Sequence, residues 1–147
     1  MIKPEEKYFL IADTIKEIVN LSSFSKKEFI FSSKIDLPNE IRIFGSKVVF
    51  QMLLLQLIKN ARQAYDRNLQ NKIILITSKI ENEKELSISV TNGGKGFSYN
   101  TFIFRERNND LDINEINKII KKNFNGYTKI FSKKNRGTTI KCFFPLN

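Results

Sequence analysis

The sequence contains no histidine and no tryptophan, and its 147 residues include one cysteine and three prolines. Without histidine, the chain has no imidazole that could act as a general base, bind zinc or accept a phosphoryl group. A single cysteine excludes an internal disulfide framework. Because Cys142 lies in an apolar run typical of a β-strand, we expect it to be a small buried residue.

The chain also lacks a long apolar run and a signal-peptide pattern at its start. Its most apolar stretch, residues 48–58, is interrupted by Gln51 and Gln56. It is far shorter than the ~20 residues that a membrane span needs, and the first six residues do not form a signal peptide. We therefore expect a cytoplasmic domain that makes no contact with a membrane.

The charge is strongly positive, with 25 Lys and Arg against 15 Asp and Glu, a net charge of +10. This balance raises the question of a nucleic-acid partner. The basic residues are scattered in short clusters, however, and the abundance of Lys, Asn and Ile is typical of A/T-rich codons. Phenylalanine supplies 13 of the aromatic residues, which favours core packing over base stacking. Nucleic acid is therefore an unlikely partner.

The apolar periodicity predicts one domain, residues 1–147, with helices and strands in the order α-β-β-α-β-β-α-β-β. The predicted helices are an opening helix that begins at Pro4 and is ended by Ser22 and Ser23, a long helix from about Lys47 to Asn68, and a third from Ile113 to about Lys122. The predicted strands are 27–35, 41–44, 72–80, 86–91, 127–132 and 138–144. This order predicts a two-layer α/β sandwich, in which helices cover one face of a mixed, mostly antiparallel sheet.

The long helix carries both a core stripe and an unusual pair of amides. Ser46 is a good N-cap for it. Gln56 and Asn60 lie four residues apart and so share one side of the helix, where an amide oxygen can bind a hard cation. The residues predicted to form its buried stripe are Val49, Met52, Leu53, Leu57, Ala61 and Ala64.

Two glycine-containing segments follow strands of the predicted sheet. Residues 92–96, Asn-Gly-Gly-Lys-Gly, come directly after a strand and let backbone approach a ligand closely. Residues 135–139, Asn-Arg-Gly-Thr-Thr, lead into the last strand, with Gly137 at a turn position that requires positive φ. Each segment alone is typical of an ordinary turn.

Taken together, in this order and at these spacings, the three motifs resemble the nucleotide-binding boxes of the ATP-binding catalytic domain of sensor histidine kinases. That domain belongs to the GHKL superfamily, whose ATP site is the Bergerat fold. The resemblance spans about Tyr8 to Pro145. It implies that Asn60 holds the Mg²⁺ that bridges the phosphates. It also implies that Gly94 and Gly96 let the loop pass the adenine, and that Thr138 lines the adenine pocket.

The sequence departs from the family pattern at four places. Gln56 stands where the family usually has Asn, and Asn92 stands where an Asp reads adenine. The segment that covers the phosphates is reduced to residues 97–109. Asp110 and Asp112 replace the two glycines of the second glycine box, where they would cap a helix N-terminus and repel a triphosphate.

The resemblance and these departures leave three functions open. The first is a degenerate ATPase-like domain with weak or lost ATP binding, which acts as a protein-interaction module in bacterial signal transduction. The second is a working catalytic domain of a two-component kinase that uses Mg-ATP; no catalytic residue is assigned. The third is a regulator like the anti-sigma-factor kinases. The expected partners are proteins of a phosphorelay: a kinase, a response regulator or a dimerisation domain.

Overall fold

The computed structural model describes residues 5–25, 29–64, 72–93, 113–133 and 137–146. The helices of this part are α1 (Ile11–Ser25), α2 (Lys47–Gln63) and α3 (Ile113–Phe124). The strands are β1 (Lys7–Leu10), β2 (Phe29–Asp36), β3 (Arg42–Gly45), β4 (Lys72–Asn82), β5 (Glu85–Asn92), β6 (Tyr127–Lys133) and β7 (Gly137–Pro145).

Five strands form one mixed sheet in the order β2-β4-β5-β7-β6. Strands β2 and β4 pair in parallel, and the other three pairings are antiparallel. Helix α1 contacts α2 and β2, α2 contacts β4 and β5, and α3 contacts β6 and β7. The predicted α/β sandwich, with a mostly antiparallel sheet covered on one face by helices, is thus confirmed.

The first element differs from the prediction, because residues 7–10 form a strand and the helix begins only at Ile11. Strand β1 pairs antiparallel with β3 in a separate two-stranded sheet. The backbone N–H of Ile11 donates to the carbonyl oxygen of Ile41 at 3.2 Å, which holds the junction in place. The predicted opening helix was therefore wrong over this segment, since pairing with a distant strand overrides the local helical spacing.

Helix α2 begins where its N-cap predicts and ends earlier than expected. The Ser46 hydroxyl oxygen accepts from the backbone N–H of Val49 at 3.2 Å, as a capping residue should. The helix has 17 residues, and its C-cap is Ala64, so the predicted end at Asn68 was too late. Within the described ranges, no helix combines the length and apolar character that crossing a membrane requires.

The core lies between the helix layer and the covered face of the sheet. Phe50 of α2, 1% exposed, is its aromatic centre. Its ring lies 5.6 Å from that of Phe9, 6.2 Å from that of Phe124 and 5.5 Å from that of Phe144, centroid to centroid. These contacts join β1, α2, α3 and β7, so one side chain holds together elements from both ends of the chain.

The uncovered face of the sheet carries charged and aromatic pairs. The ammonium group of Lys141 lies 2.6 Å from the carboxylate of Glu81, and the Ser87 hydroxyl donates to the same carboxylate at 2.7 Å. These two hydrogen bonds hold the pKa of Glu81 below its ordinary value. Tyr127 and Phe143 stack with ring centroids 4.5 Å apart. This face is therefore stabilised by side-chain pairs across strands.

Cys142 is buried on the covered face, as predicted, with 1% of its surface exposed. Burial raises the pKa of its thiol to about 12, so the reactive thiolate is scarce at neutral pH. We expect iodoacetamide at pH 8 to leave the folded chain unmodified and to label it fully in denaturing urea, as measured by mass spectrometry. Rapid labelling without urea would contradict this placement.

Candidate functional site

The predicted base-binding residues meet at one end of the sheet. The antiparallel register of β5 and β7 places Asn92 directly opposite Thr138. Both side chains are 6% exposed, and they lie on the face that the helices cover. The Thr138 hydroxyl shares a 2.8 Å hydrogen bond with the hydroxyl of Ser132 on β6. Three neighbouring strands thus each bring one polar side chain to this end of the sheet.

Gly137 makes this arrangement possible, since it occupies a place that no larger residue fits. Its φ of +98° lies in the left-handed region, which side-chain-bearing residues adopt at a cost. A Cβ atom built on it would collide with the carbonyl oxygen of Asn92 and lie 2.9 Å from the Cα atom of Gly93. The positive φ predicted for this turn is confirmed. The glycine lets β7 begin directly against the end of β5.

A surface cavity of about 520 Å³ opens at this end of the sheet. Among the described residues, Asn92, Thr138, Ser132 and Ile130 contribute to its walls from the covered face, and Thr91, Thr139 and Phe131 contribute from the uncovered face. The volume is within the usual range for small-molecule pockets. The cavity thus reaches both faces at the end of the sheet, and most of its lining side chains carry hydroxyl or amide groups.

The two amides of α2 bind each other. The Gln56 side-chain nitrogen donates to the Asn60 side-chain oxygen at 3.1 Å. This confirms that the two side chains share one side of the helix, as their spacing predicts. It also means that the oxygen expected to face a cation already accepts a hydrogen bond, although an amide oxygen can accept two.

The family resemblance implies a magnesium ion at Asn60, and the oxygen atoms that the protein offers there show whether such an ion fits. Asn60 offers one neutral oxygen, and the described residues contain no group of three His, Cys, Asp or Glu side chains that could hold a metal ion. A single amide oxygen fits Mg²⁺ only when phosphate and water oxygens complete the octahedron. The described residues therefore fit a cation that arrives with a nucleotide, and not one held by protein alone.

Several predicted site residues lie outside the described residues. These are Gly94 and Gly96 of the first glycine box, the covering segment 97–109, and Asp110 and Asp112. Their roles remain the expectations stated above.

Ser132 was missed by the sequence analysis. Its hydroxyl lies at the wall of the cavity and contacts Thr138. The spacing of the sequence does place Ser132 on the same side of β6 as Ile130. This spacing points to Ser132 only once the pairing of β6 with β7 is known, because that pairing places Ser132 opposite Thr138.

Solved structures with this architecture were found, whereas no family model and no curated protein sequence matches the chain. The catalytic domain of histidine kinase ThkA in a nucleotide-free form superposes with a TM-score of 0.79 at 22% identity, over 97% of this chain and 98% of that one. The chain has the histidine kinase ATPase fold.

Two further histidine kinases superpose in the same way. The mycobacterial sensor histidine kinase MprB gives a TM-score of 0.78 at 12% identity, covering 97% of this chain and 99% of its own. The Acinetobacter baumannii histidine kinase AdeS gives 0.75 at 11% identity, covering 99% and 70%. The histidine kinase fold that the sequence motifs predict is thus confirmed over nearly the whole chain.

Proposed function

We propose that the chain is a degenerate histidine kinase ATPase-like domain with weak or lost ATP binding, which acts as a protein-interaction module in cytoplasmic bacterial signal transduction. The observation that carries this proposal is the hydrogen bond from Gln56 to Asn60. The Gln56 N–H occupies one of the two acceptor positions of the Asn60 oxygen, so Mg²⁺ would compete with it for that atom. Turning it away costs roughly 0.5–1.5 kcal/mol of hydrogen bonding.

The sequence supplies a second, independent argument. Asp110 and Asp112 stand where the family has glycines whose N–H groups bind phosphate. A carboxylate at ~4–6 Å from a phosphate charge costs about 3–4 kcal/mol at an effective dielectric of ~20, before screening. Carboxylates that capped a helix at these positions would also consume the N–H groups that phosphates need.

A working ATP-binding domain is the second candidate, and the base-binding end of the site favours it. Asn92, Thr138 and Gly137 line part of the cavity at the end of the sheet, and an Asn oxygen can accept a hydrogen bond from the exocyclic amine of adenine. The two candidate functions differ in whether the phosphate-binding half of the site can still bind phosphate and Mg²⁺.

The partner class follows from the same proposal. ThkA, which shares this fold, was crystallised in complex with the response regulator protein TrrA. A protein of a phosphorelay, such as a response regulator, a kinase or a dimerisation domain, is accordingly the proposed partner of this chain.

Whether the chain binds nucleotide is decided by thermal melting with and without Mg-ATP. A ligand at 100 times its dissociation constant stabilises the folded state by about 2.7 kcal/mol, so a working site gives a clear rise in Tm at millimolar ATP. We expect no rise for the wild-type chain. A rise that Asn60→Ala abolishes would overturn the proposal.

The double variant Asp110→Gly, Asp112→Gly tests the stated cause of the weak binding. Removing both carboxylates should restore part of the affinity and produce a Tm rise with Mg-ATP. The matched control is Asp36→Gly, which removes an acidic residue from the far end of β2 and should not restore binding. Equal behaviour of the two variants would rule out the electrostatic explanation.

A further inference from the structure

Strand β6 is an outer edge of the five-stranded sheet, with β7 as its neighbour among the described strands. The backbone N–H of Thr128 donates at 3.1 Å to the side-chain oxygen of Asn117 on α3, so this N–H points away from β7. Alternate residues of a strand direct their backbone groups to the same side, so the N–H and the carbonyl of Ile130 also point outwards. Neither group of Ile130 has a hydrogen-bond partner among the described residues. An edge with open backbone groups can accept a further strand.

Three exposed lysines flank this edge. Lys129 belongs to β6 and lies on the uncovered face of the sheet, with its Nζ atom 5.5 Å from the centroid of the Phe143 ring. Lys121 lies one helical turn after Asn117, on the flank of α3 that reaches over the edge, and Lys118 is its neighbour on that flank. None of the three lysines forms an ion pair with a described carboxylate. The edge therefore carries positive charge on both faces of the sheet.

An exposed aromatic ring adjoins these charges on the uncovered face. Phe131 is 58% exposed and lies two residues after Lys129, so both side chains are on the same face. The Glu85 carboxylate accepts from the hydroxyl of Tyr127, the first residue of β6, at 3.1 Å. An acidic strand is accordingly expected to pair with the later residues of β6, from Lys129 onwards. Its side chains would meet Lys129 and Phe131 on one face and the lysines of α3 on the other.

We propose that the edge of β6 binds an extended acidic segment of a partner protein by strand addition. This inference rests on the proposed role as a protein-interaction module, and it names the surface and the kind of partner. A second copy of the chain fits less well, because pairing of two β6 edges would bring the lysines of both copies together. Single-stranded nucleic acid also fits less well, since its sugar-phosphate backbone offers no N–H group to the Ile130 carbonyl oxygen.

The test uses three fluorescein-labelled peptides of seven residues, the length of β6. The first consists of glutamate and valine, with glutamates on both faces of the extended chain. The second has lysine in place of every glutamate. The third keeps the acidic sequence and carries N-methyl groups on its two central residues, which removes one hydrogen-bond donor from each edge without changing the charge.

Binding of each peptide to the full chain is measured by fluorescence anisotropy. We expect the acidic peptide to bind at least about tenfold more tightly than the lysine peptide and at least about fivefold more tightly than the N-methylated one, as for the loss of a hydrogen bond. Amide hydrogen exchange at Ile130 should slow by at least about tenfold when the acidic peptide saturates the chain, because its N–H gains a partner.

The double variant Lys118→Glu, Lys121→Glu should weaken binding of the acidic peptide by at least about tenfold. The matched control is Lys16→Glu, Lys34→Glu, which makes the same change in net charge at exposed positions on α1 and on β2, the opposite edge of the sheet. It should change the affinity by less than about threefold at 0.15 M salt, where charges act over about 8 Å. Thermal melting of both variants verifies that they fold.

Absence of binding, equal binding of the acidic and lysine peptides, or equal binding of the N-methylated peptide would overturn the strand-addition proposal. Equal weakening by the control variant or unchanged exchange at Ile130 would also do so. Displacement of the acidic peptide by oligothymidylate would identify nucleic acid as the occupant, and dimers that the peptide dissociates in sedimentation would identify a second copy; either result overturns the proposal. A Tm rise with Mg-ATP overturns the proposed loss of nucleotide binding instead, so the two proposals fail separately.

Discussion

Replacing Phe50 by alanine should lower the free energy of unfolding by about 3–5 kcal/mol, the usual cost of truncating a buried phenylalanine. The ring is 1% exposed and lies against three other phenylalanine rings. Its loss leaves a cavity that cannot collapse easily, because the surrounding rings belong to three different elements. Urea unfolding followed by circular dichroism measures this change through the midpoint at unchanged slope.

Phe131→Ala is the matched control for this experiment. Phe131 is 58% exposed on the uncovered face of the sheet, so its truncation should change the free energy of unfolding by less than about 1 kcal/mol. Similar losses for the two variants would contradict the placement of Phe50 at the centre of the core.

Replacing Gly137 by alanine should destabilise the chain by about 2–5 kcal/mol. Two costs combine: a left-handed φ for a residue with a Cβ, about 1–2 kcal/mol, and displacement of packed backbone, about 1–3 kcal/mol. The collision partner is the carbonyl oxygen of Asn92, so relief requires β7 to move away from β5. Thermal melting should show a decrease of roughly 2–4 °C for each kcal/mol.

The control for Gly137→Ala is Lys16→Ala, which alters an exposed residue of α1 and should change Tm by less than about 2 °C, since surface substitutions usually stay within ±0.5 kcal/mol. Amide chemical shifts of Asn92 and Thr138 should change in the glycine variant and stay constant in the lysine variant. An unaltered Tm for Gly137→Ala would show that the two strand ends are farther apart than described.

Much of the fold was predictable, because most elements carry a local signal. The alternation in residues 72–80 and 86–91 predicted two strands of one hairpin, and the structure extends them to β4 and β5. The strand at residues 7–10 was not predictable, because four residues are too few to show an alternation and they run directly into the helical spacing of Ile11, Ile15 and Ile18. Only pairing with β3, more than thirty residues away, decides between a strand and a helix for this segment.

The sequence motifs predicted candidate site residues and not their geometry. Asn92 and Thr138 were identified from motifs, but their pairing depends on the register of β5 and β7, which the sequence of either strand alone does not define. Met52 was assigned to the buried stripe of α2 and is instead exposed, for a related reason. A stripe of apolar residues that covers more than half of a helix does not reveal which part faces the sheet.

The buried thiol of Cys142 has a practical consequence. Because the sequence contains no other cysteine, a cysteine introduced at an exposed position such as Leu21 or Val48 would be the single thiol that maleimide reagents reach in the folded protein. Two such cysteines introduced together would carry a pair of spin labels or fluorophores in an otherwise unchanged sequence. The distance between the labelled elements could then be followed in solution as nucleotide is added.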